Sequence, residues 1–364
     1  MKTISKQTLR SLLLVAVAAT TFSANVSAQS YDNYNKRELL LQVLDQSRPN
    51  DYVPVFFNLH FPDKFGYKAV KEHIDWFRTT HVDFVNVKYE YFPQRVEINS
   101  PDDWKKIKGI TPDQWEEQIQ VVRELARELK NEAFIIPTVF SPLALLNQAA
   151  GVWDSKAFAS DRVTAKKKLF DIIKQDPEAV KPALEAVTNS LIYYIREARK
   201  AGADGFYISS QGGDVESFGG KFFRELIKPY DKRLSDVANE IAPFNILHIC
   251  EGGGHFTTES FKDYLDYPGS IINIAFHAFK GNALTTKQAA ELFKRPILGG
   301  LEPRQSKLYT GTLEEAKAEV DEILRNAPAN FILGADDSVP RDSDPEKIRA
   351  LVDYVHSWRQ THKN

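Results

Sequence analysis

The sequence predicts an α/β protein built as a (β/α)8 TIM barrel with an extra helical insertion after the third strand. Three observations support this. Short apolar or aromatic runs alternate with longer amphipathic stretches along the 364-residue chain. Eight such runs occur, which is the number that closes a parallel barrel. Polar residues follow several runs at the end where such a barrel carries its active site.

The predicted strands are rich in β-branched and aromatic residues. They cover residues 52–58, 82–88, 133–139, 204–209, 244–249, 270–276, 295–300 and 330–335. A leading helix is predicted over residues 31–47. Thr111 followed by Pro112 is a helix start, and the helices predicted from residues 312 and 344 begin in the same way. The long interval after the third strand, about residues 142–200, predicts the helical insertion as a lid or side layer.

A doubly wound open sheet is the alternative fold. That fold normally has a glycine-rich turn after its first strand, and residues 58–66 (NLHFPDKFG) do not form one. The chain contains no internal repeat and no low-complexity linker. We therefore expect a single barrel domain over residues 29–364.

The N-terminal segment, residues 1–28, resembles a secretory signal peptide. A basic start precedes the apolar run of residues 11–19, and small residues lead up to Ala28. The run is too short for a stable membrane-spanning helix, although an uncleaved anchor is the alternative. We expect cleavage near Ala28, export to the periplasm or medium, and no stable membrane insertion.

The charge balance and the single cysteine limit the class of partner. The formal net charge of −2 lacks the basic excess that nucleic-acid binding requires. One cysteine cannot form an intrachain disulfide. We expect a small-molecule substrate and no nucleic acid. A homodimer is compatible with the sequence, which contains no pattern that decides the oligomeric state.

Three predicted strands become polar on one face towards their C-terminal ends. Strands alternate their faces, so apolar neighbours pack under helices while the polar set points into the barrel and its mouth. These polar residues are Asn58, His60, Asn86, Lys88, Glu90, His248 and Cys250. The other strand ends add Ser209, Ser210, Gln211, His277, Glu302, Arg304, Asp336 and Asp337.

Two pairs among these residues suggest a specific chemistry, one as metal ligands and one as an acid–base pair. His248 and Cys250 share a strand face and offer two ligands, whereas catalytic zinc needs three protein ligands and an open position. His255, His277, Glu302 and Asp336 are candidates for the third ligand, and a buried pair without metal is the alternative. Glu90 beside Lys88 suits general acid–base catalysis, and a structural ion pair is the alternative.

Four segments resemble the uroporphyrinogen decarboxylase superfamily in order and spacing. They are residues 201–240 (AGADGFYISSQGG onwards), 246–250 (ILHIC), 297–304 (ILGGLEPR) and 332–355 (ILGADDSVPRDSDPEKIRALVDYV). The resemblance extends over most of residues 35–360 and implies a (β/α)8 barrel. One branch of the superfamily decarboxylates uroporphyrinogen without a cofactor. The other uses zinc to move methyl groups between corrinoids and thiols.

The chain departs from both branches. The arginine-rich segment of the decarboxylases corresponds to residues 56–64, which contain no arginine, and their catalytic aspartate and serine fall on Glu90 and Ser210. The His-x-Cys zinc pair of the methyltransferases falls on His248 and Cys250. Their late cysteine ligand falls on Ala335, so the third ligand position lacks a ligand.

Three functions follow from the resemblance. The first is an exported lyase acting on a tetrapyrrole or similar carboxylated substrate. The second is a zinc-assisted methyl or alkyl transferase, against which export counts because corrinoid and thiol partners are usually cytoplasmic. The third is a non-catalytic binder of tetrapyrroles or metabolites. The candidate catalytic residues are Glu90, Lys88 and Ser210; the candidate substrate-binding residues are Asn58, His60, Gln211, His277, Glu302, Arg304 and Asp336. Zinc at His248 and Cys250 is the cofactor the sequence suggests.

Overall fold

The computed structural model describes residues 36–47, 52–88, 95–130, 132–152, 159–215, 217–250, 256–277 and 284–362. The predicted signal peptide and Glu90 lie outside the described residues. Among the described residues, no helix has both the length and the hydropathy needed to cross a bilayer.

Eight parallel strands form one sheet that nearly closes into a barrel, as predicted. Hydrogen bonds join the strands in the order β1-β8-β7-β6-β5-β4-β3-β2. The strands are β1 (Val55–Phe56), β2 (Phe84–Lys88), β3 (Phe134–Phe140), β4 (Gly205–Ser210), β5 (Phe244–Ile249), β6 (Ile271–Ile274), β7 (Ile297–Leu301) and β8 (Phe331–Ala335). Each overlaps a strand predicted from the sequence.

Helices connect the strands and cover the outside of the barrel. They are α1 (Lys36–Leu41), α2 (Gly66–Thr80), α3 (Pro112–Leu129), α4 (Pro142–Ala149), α5 (Ala159–Gln175), α6 (Pro177–Ala201), α7 (Gly220–Phe222), α8 (Lys228–Ile241), α9 (Thr258–Phe261), α10 (Thr286–Phe293), α11 (Lys307–Thr310), α12 (Leu313–Asn326) and α13 (Pro345–Thr361). Short 3₁₀ turns cover Gln42–Leu44, Pro101–Lys106 and Lys262–Tyr264, and a π turn covers Phe223–Ile227. The predicted insertion is confirmed as α4, α5 and α6 between β3 and β4.

The predicted helix starts are also confirmed. The Thr111 hydroxyl accepts a hydrogen bond from the backbone N–H of Gln114, whose side chain accepts one from the N–H of Thr111. Thr312 forms the same reciprocal pair with Glu315. Such caps satisfy N–H groups that the first helical turn leaves without partners.

Alternation along the strands sorts the apolar side chains into two layers. The outer layer, between sheet and helices, contains Val85, Val87, Leu247 and Ile249. The inner layer fills the lower barrel with Phe56, Phe84, Phe134, Phe244 and neighbouring aliphatic residues. The predicted outward direction of the apolar faces is therefore confirmed.

The N-terminal helix closes the floor of the barrel. Leu40 and Val43 are fully buried and pack with the inner layer. Arg37 forms an ion pair with buried Asp204. The polar ends of the strands therefore lie at the opposite, open end.

Asp83 joins β1 to β2, the one neighbouring pair that shares no strand ladder in the described residues. Its backbone N–H donates to the Val55 carbonyl at 3.1 Å, and its carboxylate accepts from the Val55 N–H at 2.7 Å. His356 contacts the same carboxylate at 3.0 Å. Burial alone would raise the pKa of Asp83, but His356 and Lys36 outweigh it and lower the pKa to about 2.

Candidate functional site

A cavity of about 880 Å³ opens at the C-terminal ends of the strands. Its wall includes Thr138, Tyr207 and Ser209 from β3 and β4, and His248 and Cys250 at the end of β5. Residues of β2 and of the segments after β1, β2, β7 and β8 also line it. Active sites of this barrel type lie at this end because the eight strand-to-helix loops meet there.

Three potential metal ligands meet in the wall of this cavity. They are the imidazole of His248, the thiol of Cys250 and the carboxylate of Asp337, and one ligand atom from each lies within 4.8 Å of the other two. His248 is buried, Cys250 is half-buried and Asp337 is open to the cavity. Zinc accepts nitrogen, sulfur and oxygen ligands, and three protein ligands with an open side towards the cavity is the number found at catalytic zinc sites. The residues present therefore fit a zinc ion.

Neighbouring groups hold the first two ligands in place. The Nδ1 atom of His248 lies 2.6 Å from the side-chain oxygen of Asn273 on β6. The ring of Tyr207 stacks on the imidazole with a centroid distance of 5.1 Å. The Gln211 amide donates to the Cys250 sulfur at 3.7 Å. Burial lowers the pKa of His248, which favours the neutral imidazole that a metal requires.

Asp337 stays ionised although protein atoms surround it. Its surface is accessible only because the cavity itself is open. Burial opposes ionisation, but His248 and Lys88 outweigh that effect and lower the pKa of Asp337. A carboxylate is therefore available as a ligand at neutral pH.

The charged side chains that line the cavity are predominantly basic. Among the described residues that line it, Asp337 is the one carboxylate, whereas the basic side chains are Lys64, Lys88, Arg95, Arg304 and Arg341. The Nζ atom of Lys88 lies 2.6 Å from Nε2 of His60. These charges come from the segments after β1, β2, β7 and β8 and favour an anionic ligand.

Several residues predicted to form the site do line the cavity. These are Asn58, His60, Lys88, Gln211, Arg304, His248 and Cys250. Arg304 is fixed by donating to the Ser338 carbonyl at 2.5 Å. The candidate acid Glu90 lies outside the described residues, so its role stays a prediction.

The structure directs Ser210 away from the cavity, contrary to its predicted catalytic role. Phe206 and Ile208, which share a strand face with Ser210, pack in the outer apolar layer. The Ser210 hydroxyl donates to Asp231 on α8. Its neighbour Ser209 lines the cavity instead, because successive strand residues point to opposite faces.

Asp336 and His277, predicted to bind substrate, contact each other outside the described lining of the cavity. The Asp336 carboxylate accepts from the backbone N–H groups of Phe276 at 2.7 Å, His277 at 2.9 Å and Gly300 at 3.2 Å. It also contacts the His277 imidazole at 2.9 Å and raises the pKa of that ring. These bonds hold the ends of three strands together.

Glu302 and Ala335 also lie outside the described lining of the cavity. The Glu302 carboxylate accepts from the backbone N–H groups of Arg304, at 2.6 Å, and Gln305, which closes the turn after β7. Ala335 is buried in the outer apolar layer, so a side chain at that position does not face the cavity. The third potential ligand comes from Asp337, two residues further along.

Several cavity or site residues were absent from the predicted site. Tyr207 and Asn273 lie inside strands, and their positions on the inward faces could have identified them. Arg95 and Arg341 lie in loops, where alternation gives no information about direction. Asp337 follows β8 and is one of the polar residues at the strand ends, but it is not among the ligands suggested by the sequence.

Comparisons with known proteins agree with the barrel fold. The family model described as "Uroporphyrinogen decarboxylase (URO-D)" matches residues 80–358. The chain is 21% identical over 257 residues to uroporphyrinogen decarboxylase of Aquifex aeolicus, covering 70% of this chain and 69% of that protein.

Methyltransferases are also among the similar proteins. The chain is 22% identical over 156 residues to the methylcobamide:CoM methyltransferase MtbA of Methanosarcina acetivorans, a match that covers 42% of this chain and 41% of that protein. The solved structure of a methyltransferase from Methanosarcina mazei superposes with a TM-score of 0.66 at 15% identity, over 89% of this chain and 99% of that one. The superposition on the Methanosarcina mazei structure shows that the two proteins share the barrel fold. Because the family model matches residues 80–358, which is more than half of the chain, the chain belongs to the uroporphyrinogen decarboxylase family.

Proposed function

We propose that this protein is a zinc-assisted transferase that moves a methyl or other alkyl group to the thiol of a small anionic substrate. The observation that carries the proposal is the cluster of His248, Cys250 and Asp337 in the wall of the mouth cavity. The similarity to a methylcobamide:CoM methyltransferase supports the reaction class. The basic lining supports an anionic substrate.

His248, Cys250 and Asp337 would hold the zinc, with the open position facing the cavity. When bound, the zinc would lower the pKa of a substrate thiol and increase its fraction present as thiolate at neutral pH. The neutral imidazole of His248 and the ionised carboxylate of Asp337 suit this role without a change of protonation.

The basic side chains would bind and orient the substrate. Arg95, Arg304 and Arg341 each present a guanidinium suited to a carboxylate, phosphate or sulfonate. Lys88 and His60, from the segments at β1 and β2, also line the cavity and lie 2.6 Å apart. Orientation by several fixed charges places one sulfur atom towards the metal ligands and lowers the entropic barrier to transfer.

The transfer step balances without an oxidant or reductant. The thiol releases its proton to water in the open cavity, a carbon–sulfur bond forms, and the bond from that carbon to its previous carrier breaks. The carrier leaves with the bonding electron pair. This is substitution at carbon.

Metal analysis and a thiol-methylation assay test the proposal. After dialysis against a weak chelator, we expect one zinc per chain in the unmodified protein and loss of zinc in Asp337→Asn. Asp342→Asn, at a nearby exposed carboxylate outside the metal cluster, is the matched control and should keep the metal. Methylcobalamin and 3-mercaptopropionate serve as donor and acceptor probes.

Absence of zinc from the unmodified protein, or equal zinc in both variants, contradicts the metal site. If zinc is present but neither probe reacts over a panel of anionic thiols and methyl donors, the transferase assignment fails. Saturable binding of an anionic compound without turnover would then favour the non-catalytic binder.

A second candidate is the lyase suggested by the family model and by the basic cavity. The basic side chains that line the cavity attract a substrate with several carboxylates. Of its three proposed catalytic residues, Lys88 lines the cavity and Ser210 does not. Release of CO₂ from a carboxylated porphyrinogen by metal-free protein would favour this candidate over the transferase.

We also propose that the protein is exported after cleavage near Ala28. The support is the sequence pattern of residues 1–28. An exported transferase needs reaction partners that are present outside the cytoplasm. A small thiol substrate that diffuses freely meets this requirement, whereas a carrier protein confined to the cytoplasm does not. N-terminal sequencing of protein from the native host decides this, and an intact Met1 in a membrane fraction would contradict it.

A further inference from the structure

Asn273 lies beside the histidine of the proposed metal site and is fully buried. It pairs with His248 across the β5–β6 ladder, and both side chains lie on the inner side of the barrel. Its amide makes three hydrogen-bond contacts. The Nδ2 atom donates to the Leu298 carbonyl at 2.9 Å, and the oxygen lies 2.7 Å from the Tyr207 hydroxyl and 2.6 Å from Nδ1 of His248.

The Leu298 carbonyl determines the orientation of this amide. A backbone carbonyl can only accept, so the side of the Asn273 amide that faces it must be the NH₂ group. A flipped amide would place two acceptors 2.9 Å apart and leave the buried NH₂ facing Tyr207 and His248. The amide oxygen therefore faces the imidazole.

The orientation of the amide in turn determines the tautomer of His248. The amide oxygen has no proton, so Nδ1 of His248 must donate to it. A neutral imidazole has one N–H, and Nε2 then carries a lone pair. A metal needs such a lone pair. With Nδ1 unprotonated instead, Nε2 would carry the proton and could not bind a metal.

We propose that Asn273 is a positioning residue that holds His248 in the Nδ1–H tautomer, so that Nε2 is the metal-binding atom. Tyr207 donates to the same amide oxygen, and its ring stacks on the imidazole at 5.1 Å. The amide therefore sets the tautomer, and the stacked ring restricts the plane of the imidazole. The role of this tautomer in metal binding rests on the proposed function. The tautomer itself is set by Asn273 and does not depend on a bound metal.

Nitrogen NMR of the metal-free protein tests the tautomer directly. With histidine labelled at both ring nitrogens and the His248 signals assigned by their loss in His248→Gln, we expect the Nδ1–H pattern in the unmodified protein. This measurement needs no substitution at position 273. An Nε2–H pattern in the unmodified protein overturns the proposal.

Substitution then tests whether Asn273 is the cause. Asn273→Leu keeps a similar volume and removes the acceptor, so the Nδ1–H tautomer should lose its preference and the zinc dissociation constant should rise roughly 10- to 100-fold. Asn86→Leu is the matched control, because Asn86 is another buried amide inside the barrel, bonded to Ile136 and Thr138 rather than to His248. It should leave the tautomer and the zinc affinity unchanged.

Two results would contradict the role of Asn273. One is an unchanged tautomer in a folded Asn273→Leu protein. The other is an equal loss of zinc affinity in Asn86→Leu, which would indicate a general effect of barrel stability. Tyr207→Phe keeps the amide and should keep the tautomer. If the unmodified protein holds no zinc, the proposed function fails while the NMR measurement still decides the tautomer.

Discussion

Asp231 provides a test of how the helix side of the barrel is stabilised. The side chain lies on α8 behind β4, where it accepts a hydrogen bond from Ser210. One of its oxygens has no hydrogen-bond partner although it is buried. Burial raises the pKa of Asp231 from 3.8 to about 7, against a hydrogen bond from Ser210 that lowers it.

The direction of this shift predicts that stability falls as pH rises. Between pH 3.8 and about 7 the folded protein keeps a proton on Asp231 that the unfolded chain has lost. Each pH unit in that window lowers the free energy of unfolding by about 1.4 kcal/mol. The raised pKa of about 7 therefore corresponds to a loss of about 4 kcal/mol, complete once the pH exceeds the folded pKa.

Asp231→Asn resembles the protonated form and should remove this dependence. Urea unfolding of both proteins at intervals from pH 4 to pH 8 measures the effect. The difference between them isolates position 231, because the other ionisable groups are common to both. We expect similar stability near pH 4, apart from the cost of replacing one hydroxyl by an amide. Near pH 8 the variant should be more stable by up to about 4 kcal/mol.

Asp83→Asn is the control with the opposite sign. The pKa of Asp83 is lowered to about 2, so its charge stabilises the fold above pH 3.8 and the contribution is lost as pH falls through 2. The asparagine variant should be less stable than the unmodified protein at neutral pH. If the Asp231→Asn and unmodified curves run parallel from pH 4 to pH 8, Asp231 does not carry a raised pKa and the burial argument is wrong.

Two further predictions concern the barrel wall and its mouth. Gly205→Ala should prevent stable folding, because an added Cβ would lie 1.6 Å from the Phe244 carbonyl oxygen in the neighbouring strand. Soluble yield and circular dichroism measure this effect. A native-like spectrum with normal stability would contradict the prediction. Arg341→Gln should weaken binding of an anionic substrate analogue roughly tenfold and reduce its salt dependence without changing zinc content, as titration calorimetry at two ionic strengths would show. An unchanged dissociation constant would remove Arg341 from the anion site.

The barrel was predictable from the sequence because its signals are local. Caps such as Thr111 and Thr312 mark helix starts within four residues, and the strands stand out by their apolar runs. Strand alternation also gave the direction of Lys88 and His248 into the barrel. These patterns depend on backbone geometry alone.

The site was less predictable, because its composition depends on which way each strand side chain points and on the path of the loops after the strands. Ser210 was selected by resemblance, whereas alternation from Tyr207, which lines the cavity, assigns the inward position to Ser209. The resemblance places the third ligand position at Ala335, which has no ligand atom, and the substitutes suggested by the sequence do not include Asp337. The strand ends at Ala335, and Asp337 reaches the cavity from the following loop. Where an irregular segment points is decided by contacts between distant parts of the chain.

The bonds of Asp336 have a consequence for how the protein behaves without metal. They fix the chain immediately before Asp337 to backbone groups of the sixth and seventh strands. None of those bonds requires an occupied site, so the loop that carries Asp337 is anchored whether or not an ion is present. Asp337 is then held in place before binding, and little conformational entropy of its loop is lost when an ion enters the proposed site. Removal of the proposed zinc should accordingly leave a folded protein that can be reloaded with a different divalent ion.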